Sequence, residues 1–200
     1  MKKILLYGGA FNPPHIGHEF LLKSAIEAIK PDLTLVVPSS VSPHKHNAAV
    51  PFFDRFVMAK TFLKCGENVR VSGIEKAGKH QKSYTLKTVR RLKKKYKDAK
   101  IYILIGSDML TSFDEWHRYR RLLSEAVIVA ASRDDLDDQR ADEAAKRLKR
   151  DGGDIRVLRI KPIEMSSTEI RERIFRKQDV KGFLSDEVER YISKRNLYEV

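Results

Sequence analysis

Lys3-Ile4-Leu5-Leu6-Tyr7-Gly8-Gly9-Ala10-Phe11-Asn12-Pro13-Pro14-His15-Ile16-Gly17-His18 decides how the rest of the chain is read. The apolar run over residues 3–7 has the length and character of a buried strand. Glycines and prolines then break the run. From about residue 17 to residue 30, Leu22, Ala25, Ile26 and Ile29 fall on one helical face. Strand, glycine-rich turn and helix follow one another within thirty residues, and the pattern recurs outward from there. Residues 33–37 predict a second strand, closed by Pro38, and residues 51–64 a helix with Pro51 at its first turn. A short strand is expected at 69–71, then a helix capped by Ser83 and running to about residue 97. Residues 101–105 form the most apolar strand and lead into Gly106-Ser107-Asp108. Short helical segments around 109–115 and 118–123, a strand at 127–131, a charged helix at 138–150 and a strand at 155–158 come next. Helices at 167–177 and 185–194 end the chain.

Nearly continuous apolar strands separated by helices imply a parallel sheet covered on both faces. The expected fold is α/β, a doubly wound Rossmann-like sheet in which ligands bind beyond the carboxyl ends of the strands. Two hundred residues suit one domain with a core that needs no disulfide or structural metal. No internal repeat, low-complexity linker or domain boundary interrupts the pattern, so residues 1–200 read as a single domain.

Composition narrows the partners. Forty Lys and Arg against 27 Asp and Glu leave a formal net charge of +13, which favours anionic ligands: nucleic acid, a membrane surface or phosphorylated small molecules. The densest basic run, Arg90-Arg91-Leu92-Lys93-Lys94-Lys95, reads as a solvated helix face, because no aromatic residues interleave at the spacing that base stacking needs. No stretch approaches the roughly 18 apolar residues that span a bilayer. The basic start is too short in apolar residues for a signal peptide. Cys65, the single cysteine, has no intramolecular partner and reads as a small buried hydrophobe. A soluble, cytoplasmic protein is expected.

The chemistry sits just after the strands. Gly8 and Gly9 let the backbone approach a ligand closely, and a helix start beyond them offers free N–H groups to an anion. His15 and His18 can point at the same anion, although two nearby histidines also serve as packing residues. A zinc site is disfavoured: there is no HExxH pattern, and the lone cysteine lies far off in sequence. Near the other end, Ser166 and Glu169 have the spacing of a capping box. The same segment, Ser166-Ser167-Thr168-Glu169-Ile170-Arg171, supplies three consecutive hydroxyls and a cation, which together could grip a polyphosphate. Trp116 is the only tryptophan, and its indole suits either a flat ligand ring or the core.

The paired H-x-G-H and S-S-T-x-I-R segments resemble the nucleotidyltransferase superfamily, and within it the bacterial nicotinate mononucleotide adenylyltransferases. Pro43-His44-Lys45 resembles the PHK loop of that family, and Arg55 with Met58 and Ala59 its next helix. Ser83-Tyr84-Thr85 resembles its SYT segment, Gly106-Ser107-Asp108 with Trp116 its GxD…W stretch, and Ser132-Arg133 its strand-end arginine. These matches run in family order along nearly the whole chain. Three positions depart from it: Asn12 and Lys87 stand where aspartate is common, and Met165 where isoleucine is usual. Asn12 is shared with eukaryotic-type enzymes, some of which also accept nicotinamide mononucleotide.

The resemblance implies roles. His15 and His18 contact the phosphates of ATP alongside Gly8, Gly9 and Phe11. Ser167, Thr168 and Arg171 hold the β- and γ-phosphates, and Lys45 reaches the phosphates or the mononucleotide. Asp108 meets the ribose hydroxyls, Gly106 allows close approach of the nucleotide backbone, Arg133 lies near the adenine, Trp116 stacks on the pyridine ring of nicotinate mononucleotide, and Thr85 meets its carboxylate. Its phosphate attacks the α-phosphorus of ATP in line, pyrophosphate leaves, and Mg²⁺ travels with ATP, held mostly by phosphate oxygens and water. Of the rival readings, phosphopantetheine as acceptor is opposed by Trp116 and Thr85. An aminoacyl-adenylate-forming core would need a lysine loop where Ser166-Ser167-Thr168 stands. A basic RNA-binding module would bind nucleic acid with a steep salt dependence.

Overall fold

The computed structural model describes residues 1–40, 50–62, 66–76, 84–132, 135–160, 163 and 165–199. Lys45 and Arg133, with Pro43, His44, Cys65 and Ser83, therefore lie outside the described residues. Strands β1 (Lys3–Gly9), β2 (Leu33–Pro38), β3 (Val69–Val71), β4 (Lys100–Gly106), β5 (Val127–Ser132) and β6 (Ile155–Arg159) form one sheet in the order β3-β2-β1-β4-β5-β6. Pairing is parallel at β1–β4, β4–β5 and β5–β6. The order reverses between β1 and β4, the mark of a doubly wound sheet, and the expected fold class stands.

Helices α1 (Ile16–Ile29), α2 (Phe52–Phe62), α3 (Thr85–Lys95), α4 (Ser107–Thr111), α5 (Tyr119–Glu125), α6 (Asp135–Arg150), α7 (Ser167–Phe175) and α8 (Asp186–Lys194) alternate with the strands, and a 3₁₀ turn spans Phe113–Glu115. Helix α3 begins at Thr85, with an extended Tyr84 at the N-cap and no cap bond from its side chain; the expected cap, Ser83, lies outside the described residues.

The chain divides into two compact units. The first comprises Met1–Gly8, Leu21–Leu35 and Tyr84–Pro162. Its core is built on fully apolar strand interiors: Ile4 and Leu5 of β1, Ile101 and Leu104 of β4, and Ile128, Val129 and Ala130 of β5 are all buried. Leu22, Ala25 and Ile29 of α1 are buried as their spacing predicts. On α3 the buried residues are Leu86, Thr88, Val89 and Leu92, while Arg90, Arg91, Lys94 and Lys95 face solvent. The basic run is thus the outer face of an amphipathic helix.

The second unit comprises Gly9–Phe20, Val36–Ser83 and Ile163–Val200. Here α2 packs against β3 and α8, around Phe11, Val36, Val37, Met58, Ala59, Ile170, Val188 and Ile192. Helix α8 starts at Ser185, whose hydroxyl accepts from the amide of Val188.

Candidate active site

Within the second unit, the loop between β1 and α1 is held at nearly every carbonyl. Gly9 O accepts from Ser39 N at 2.8 Å and Ala10 O from Arg55 Nη1 at 2.7 Å. Asn12 O accepts from Arg171 Nη1 at 2.8 Å and Pro13 O from Ser167 Oγ at 2.9 Å. Asn12 is nearly buried, and its Oδ1 accepts from the hydroxyl of Tyr198 at 2.7 Å. Phe11 sits at φ +48°, a left-handed conformation that costs a side-chain-bearing residue about 1–3 kcal/mol and persists only where its surroundings dictate it. A Cβ on Gly9 would lie 3.1 Å from the Phe11 ring, so the glycine makes room for that buried phenylalanine. Gly8, in the first unit, has a different setting: a Cβ there would meet nothing within 4 Å.

His15 and His18 form a pair. Their ring centroids are 3.8 Å apart, and the Phe11 ring lies 5.1 Å from that of His18. His15 is buried and His18 half-buried. The amide of His15 donates to His18 Nδ1 at 3.2 Å. Nδ1 is therefore an acceptor, and the neutral ring carries its proton on Nε2, a directed N–H donor. Gly17 explains the spacing: a Cβ there would stand 3.0 Å from His15 Nδ1.

The expectation of free amides at this helix start holds among the described residues for Gly17 N alone. Ile16 N donates to Phe183 O at 3.0 Å, and His18 N and Glu19 N donate to His15 O at 2.8 and 3.3 Å. The chain folding back after α7 supplies Phe183, and the first helical turn closes on His15, so these donors are already spent.

At α7 the three hydroxyls have separate work. Ser166 caps the helix by accepting from Glu169 N at 3.1 Å, as its capping-box spacing predicts. The Ser167 proton is used on Pro13 O. Thr168 Oγ1 accepts from Arg171 Nη2 at 3.0 Å, which leaves its own O–H free to donate. Arg171 has five N–H donors, of which two serve Asn12 O and Thr168. The His15–His18 pair, with Phe11 against His18, lies at the end of the same loop that Ser167 and Arg171 hold through Pro13 O and Asn12 O, while Thr168 is bonded to Arg171 and Gly9 to Ser39.

Arg55, which the sequence marked only as part of a family-like helix, is buried to 1% exposure and is the keystone of the loop. Its guanidinium donates to Val50 O, Ala10 O, Ser39 O and Ser40 O. Burial lowers its pKa, against an opposing pull from Tyr198. Beside it, Asp54 Oδ1 accepts from Tyr191 Oη at 2.8 Å and Arg195 Nε at 3.2 Å. The partners of Arg55 lie 5 to 45 residues away and those of Asp54 137 and 141, so most of these bonds leave no local signal.

The first unit holds the remaining candidates. Gly106 is the N-cap of α4 at φ −77°, an ordinary conformation, and Asp108 is exposed in the first turn. The Asp108 carbonyl accepts from Thr111 Oγ1 at 2.8 Å. Trp116 is half-buried, with its indole stacked on Phe113 at 4.9 Å and 26°. Thr85 opens α3, and Tyr84 places its ring 4.5 Å from that of His117. Lys87 Nζ stands 5.4 Å from the Tyr84 ring.

Among the described residues, no group of three or more His, Cys, Asp or Glu could hold a metal ion, and no helix is long and apolar enough to cross a membrane. The donors around the loop are imidazole, hydroxyl, amide and guanidinium. Mg²⁺ prefers carboxylates and water, so this set does not fit a divalent cation held by the protein.

Comparison with known proteins adds to this geometry. A family model described as cytidylyltransferase-like matches residues 6–173, which leaves α8 and the tail outside the match. A "Probable nicotinate-nucleotide adenylyltransferase" of Shouchella clausii is 37% identical over 199 residues, covering 99% of this chain and 97% of the relative. One of Halalkalibacterium halodurans is 34% identical, covering 100% and 92%. Among solved structures, Plasmodium falciparum nicotinic acid mononucleotide adenylyltransferase complexed with NaAD superposes with a TM-score of 0.80 at 19% identity, covering 100% of this chain and 98% of that one. At that identity the likeness speaks for the fold.

Proposed function

This chain belongs to the cytidylyltransferase-like family, and from that premise we propose that it transfers the AMP portion of ATP to nicotinate mononucleotide, releasing pyrophosphate and forming deamido-NAD. The observation that supports the proposal is two bonded pairs tied to the loop after β1, His15 with His18 at its end and Arg171 with Thr168 held to its Asn12 carbonyl. They present hydrogen-bond donors and no carboxylate, which suits a triphosphate.

In-line attack on the α-phosphorus brings two anions together and leaves charge on pyrophosphate. The protein's share is to position the reactants and neutralise that charge. His18 donates from Nε2, and Thr168 offers its hydroxyl proton. Arg171, with N–H donors beyond those on Asn12 and Thr168, reaches the β- and γ-phosphates. His15 orients His18 through its amide and reaches the phosphates from its own ring. Ser167 is assigned to the same phosphates, which it reaches by exchanging its bond to Pro13 O. Gly8 and Gly9 keep the backbone low beside the nucleotide, and Phe11 backs the His18 ring. Asp108 is assigned to the ribose, Gly106 to close approach of the nucleotide backbone, Arg133 to the adenine, and Lys45 to the phosphates or the mononucleotide. Thr85 and Trp116 are assigned to nicotinate, the exposed part of the indole stacking on the pyridine ring. A divalent cation enters as part of the ATP complex, and Mg²⁺ is the ion we propose. Residues 1–200 serve as one nucleotidyltransferase domain, in a cytoplasm where Cys65 stays a thiol.

The test is pyrophosphate release from ATP and Mg²⁺ with nicotinate mononucleotide, run beside nicotinamide mononucleotide. Preference for the acid is expected. Equal use of both would make the site dual-specific, with Asn12 and Lys87 the first residues to exchange. Release with neither would overturn the function.

A further inference from the structure

The segment after α7 reaches back to the histidine loop at two points. Phe183 O accepts the amide of Ile16 at the start of α1, and the Tyr198 hydroxyl donates to Asn12 Oδ1 at 2.7 Å across 186 residues of sequence. The tail is anchored to make this possible. Tyr191 and Arg195 both donate to Asp54, whose side chain is 2% exposed, and so fasten α8 to α2. Tyr198 itself sits at φ +69°, a left-handed conformation that a bulky residue adopts only when held there. Burial keeps the Tyr198 hydroxyl protonated well above the usual phenol range, despite the opposing charges of Arg171 and Arg55. It is therefore a donor at any working pH.

Asn12 joins this tail to the site. Its side chain receives Tyr198, and its main-chain carbonyl receives Arg171 Nη1. A shift of Asn12 would move the anchor of Arg171 and, three residues on, His15 with its bond to His18.

We infer that Tyr198 is a positioning residue, which acts through Asn12 to set Arg171 and the histidine pair for phosphate transfer. The inference rests on the adenylyltransferase reading and adds to it a functional role for the extreme C-terminus. Tyr198→Phe keeps the ring and removes the one bond. A fall of about three- to tenfold in kcat is expected, the scale of a single hydrogen bond, with the KM for nicotinate mononucleotide unchanged.

The decisive measurement is a double-mutant cycle. In an Asn12→Leu background, Tyr198→Phe is expected to cost nothing more. In an Asn12→Asp background, which keeps an acceptor oxygen, it is expected to cost the same as in the parent. An equal loss in the Asn12→Leu background, no loss in the Asn12→Asp background, or a lowered Tm with kcat intact would each overturn the inference. Calorimetric Kd values for a nonhydrolysable ATP analogue run alongside. If the parent binds the analogue yet releases pyrophosphate with neither mononucleotide, the functional reading fails alone, and the same cycle is read in those Kd values.

Discussion

Arg55→Leu tests the framework of the site most directly. The guanidinium donates to four carbonyls, and the bonds to Ala10 O at 2.7 Å and Ser39 O at 2.8 Å are the short ones. Hydrogen bonds from a charged donor contribute about 1.5–3 kcal/mol each. Leucine recovers part of that by removing a buried cation whose desolvation is already unfavourable, as the lowered pKa indicates. Water entering the vacated space satisfies some of the carbonyls. A net loss of about 3 kcal/mol remains, which for a chain of this size lowers Tm by roughly 6–12 °C. Arg55→Lys keeps the charge, but a compact ammonium cannot span four acceptors, so it is expected to fall between leucine and the parent. Urea unfolding measures the loss, and an unchanged m-value would show that the unfolded state is not what moved. Because Ala10 O and Ser39 O flank the histidine loop, kcat is expected to fall as well. A loss below about 1 kcal/mol in Arg55→Leu would refute the reasoning, since it would mean the four bonds stabilise no more than one ordinary contact.

Three further outcomes follow from the same geometry. His18→Ala removes the directed Nε2 donor and is expected to lower kcat by roughly 10²–10³; turnover near that of the parent would remove His18 from the mechanism. Trp116→Ala is expected to raise the KM for nicotinate mononucleotide about fivefold or more, the scale of one lost aromatic stack, with the KM for ATP unmoved; a change in ATP alone would reassign the indole. Glu189 has its pKa raised, first by burial and then by Asp186 and Asp179, against Lys181. The folded state therefore holds that proton more tightly than the unfolded chain, and stability falls as pH rises from the ordinary glutamate range through the raised value. Glu189→Gln is thus expected to raise the urea midpoint at pH 7 and to lose that advantage below pH 4; a constant difference across that range would exclude ionisation as the cause.

The elements were legible because each carries its own signal. Ile101-Tyr102-Ile103-Leu104-Ile105 is buried throughout, and no solvent-facing residue interrupts it. Ser166 and Glu169 announce a helix start that depends on nothing distant. A hydroxyl before a helical run, as at Ser83, suggests a cap; Ser83 lies outside the described residues, and α3 starts at Thr85 with an extended Tyr84 at its N-cap. Arg55 and Tyr198 were silent as functional residues. An arginine on α2 and a tyrosine after α8 reveal nothing until folding brings them to Ala10 and Asn12.

The amides at the start of α1 show why motif and mechanism have to be joined through the tertiary structure. Glycine-rich loops before helices suggest backbone capture of phosphate, and here the chain supplies such a loop. Yet Ile16 N, His18 N and Glu19 N are consumed by Phe183 and His15, and His15 N is spent on His18 Nδ1. Backbone donors that hold the loop together cannot hold a ligand without releasing what they hold. Gly17 N is the one amide of that first turn with no partner among the described residues, so most of the work of binding an anion shifts to the side chains: the Nε2 proton that the His15 amide leaves on His18, the hydroxyl proton of Thr168, and the N–H groups of Arg171 not used on Asn12 O and Thr168. Each of these is aimed by a bond made to its other end. The two histidines, the threonine and the arginine thus form one arrangement whose polarity is set by the scaffold, which is why a hydroxyl as distant in sequence as that of Tyr198 has leverage on it.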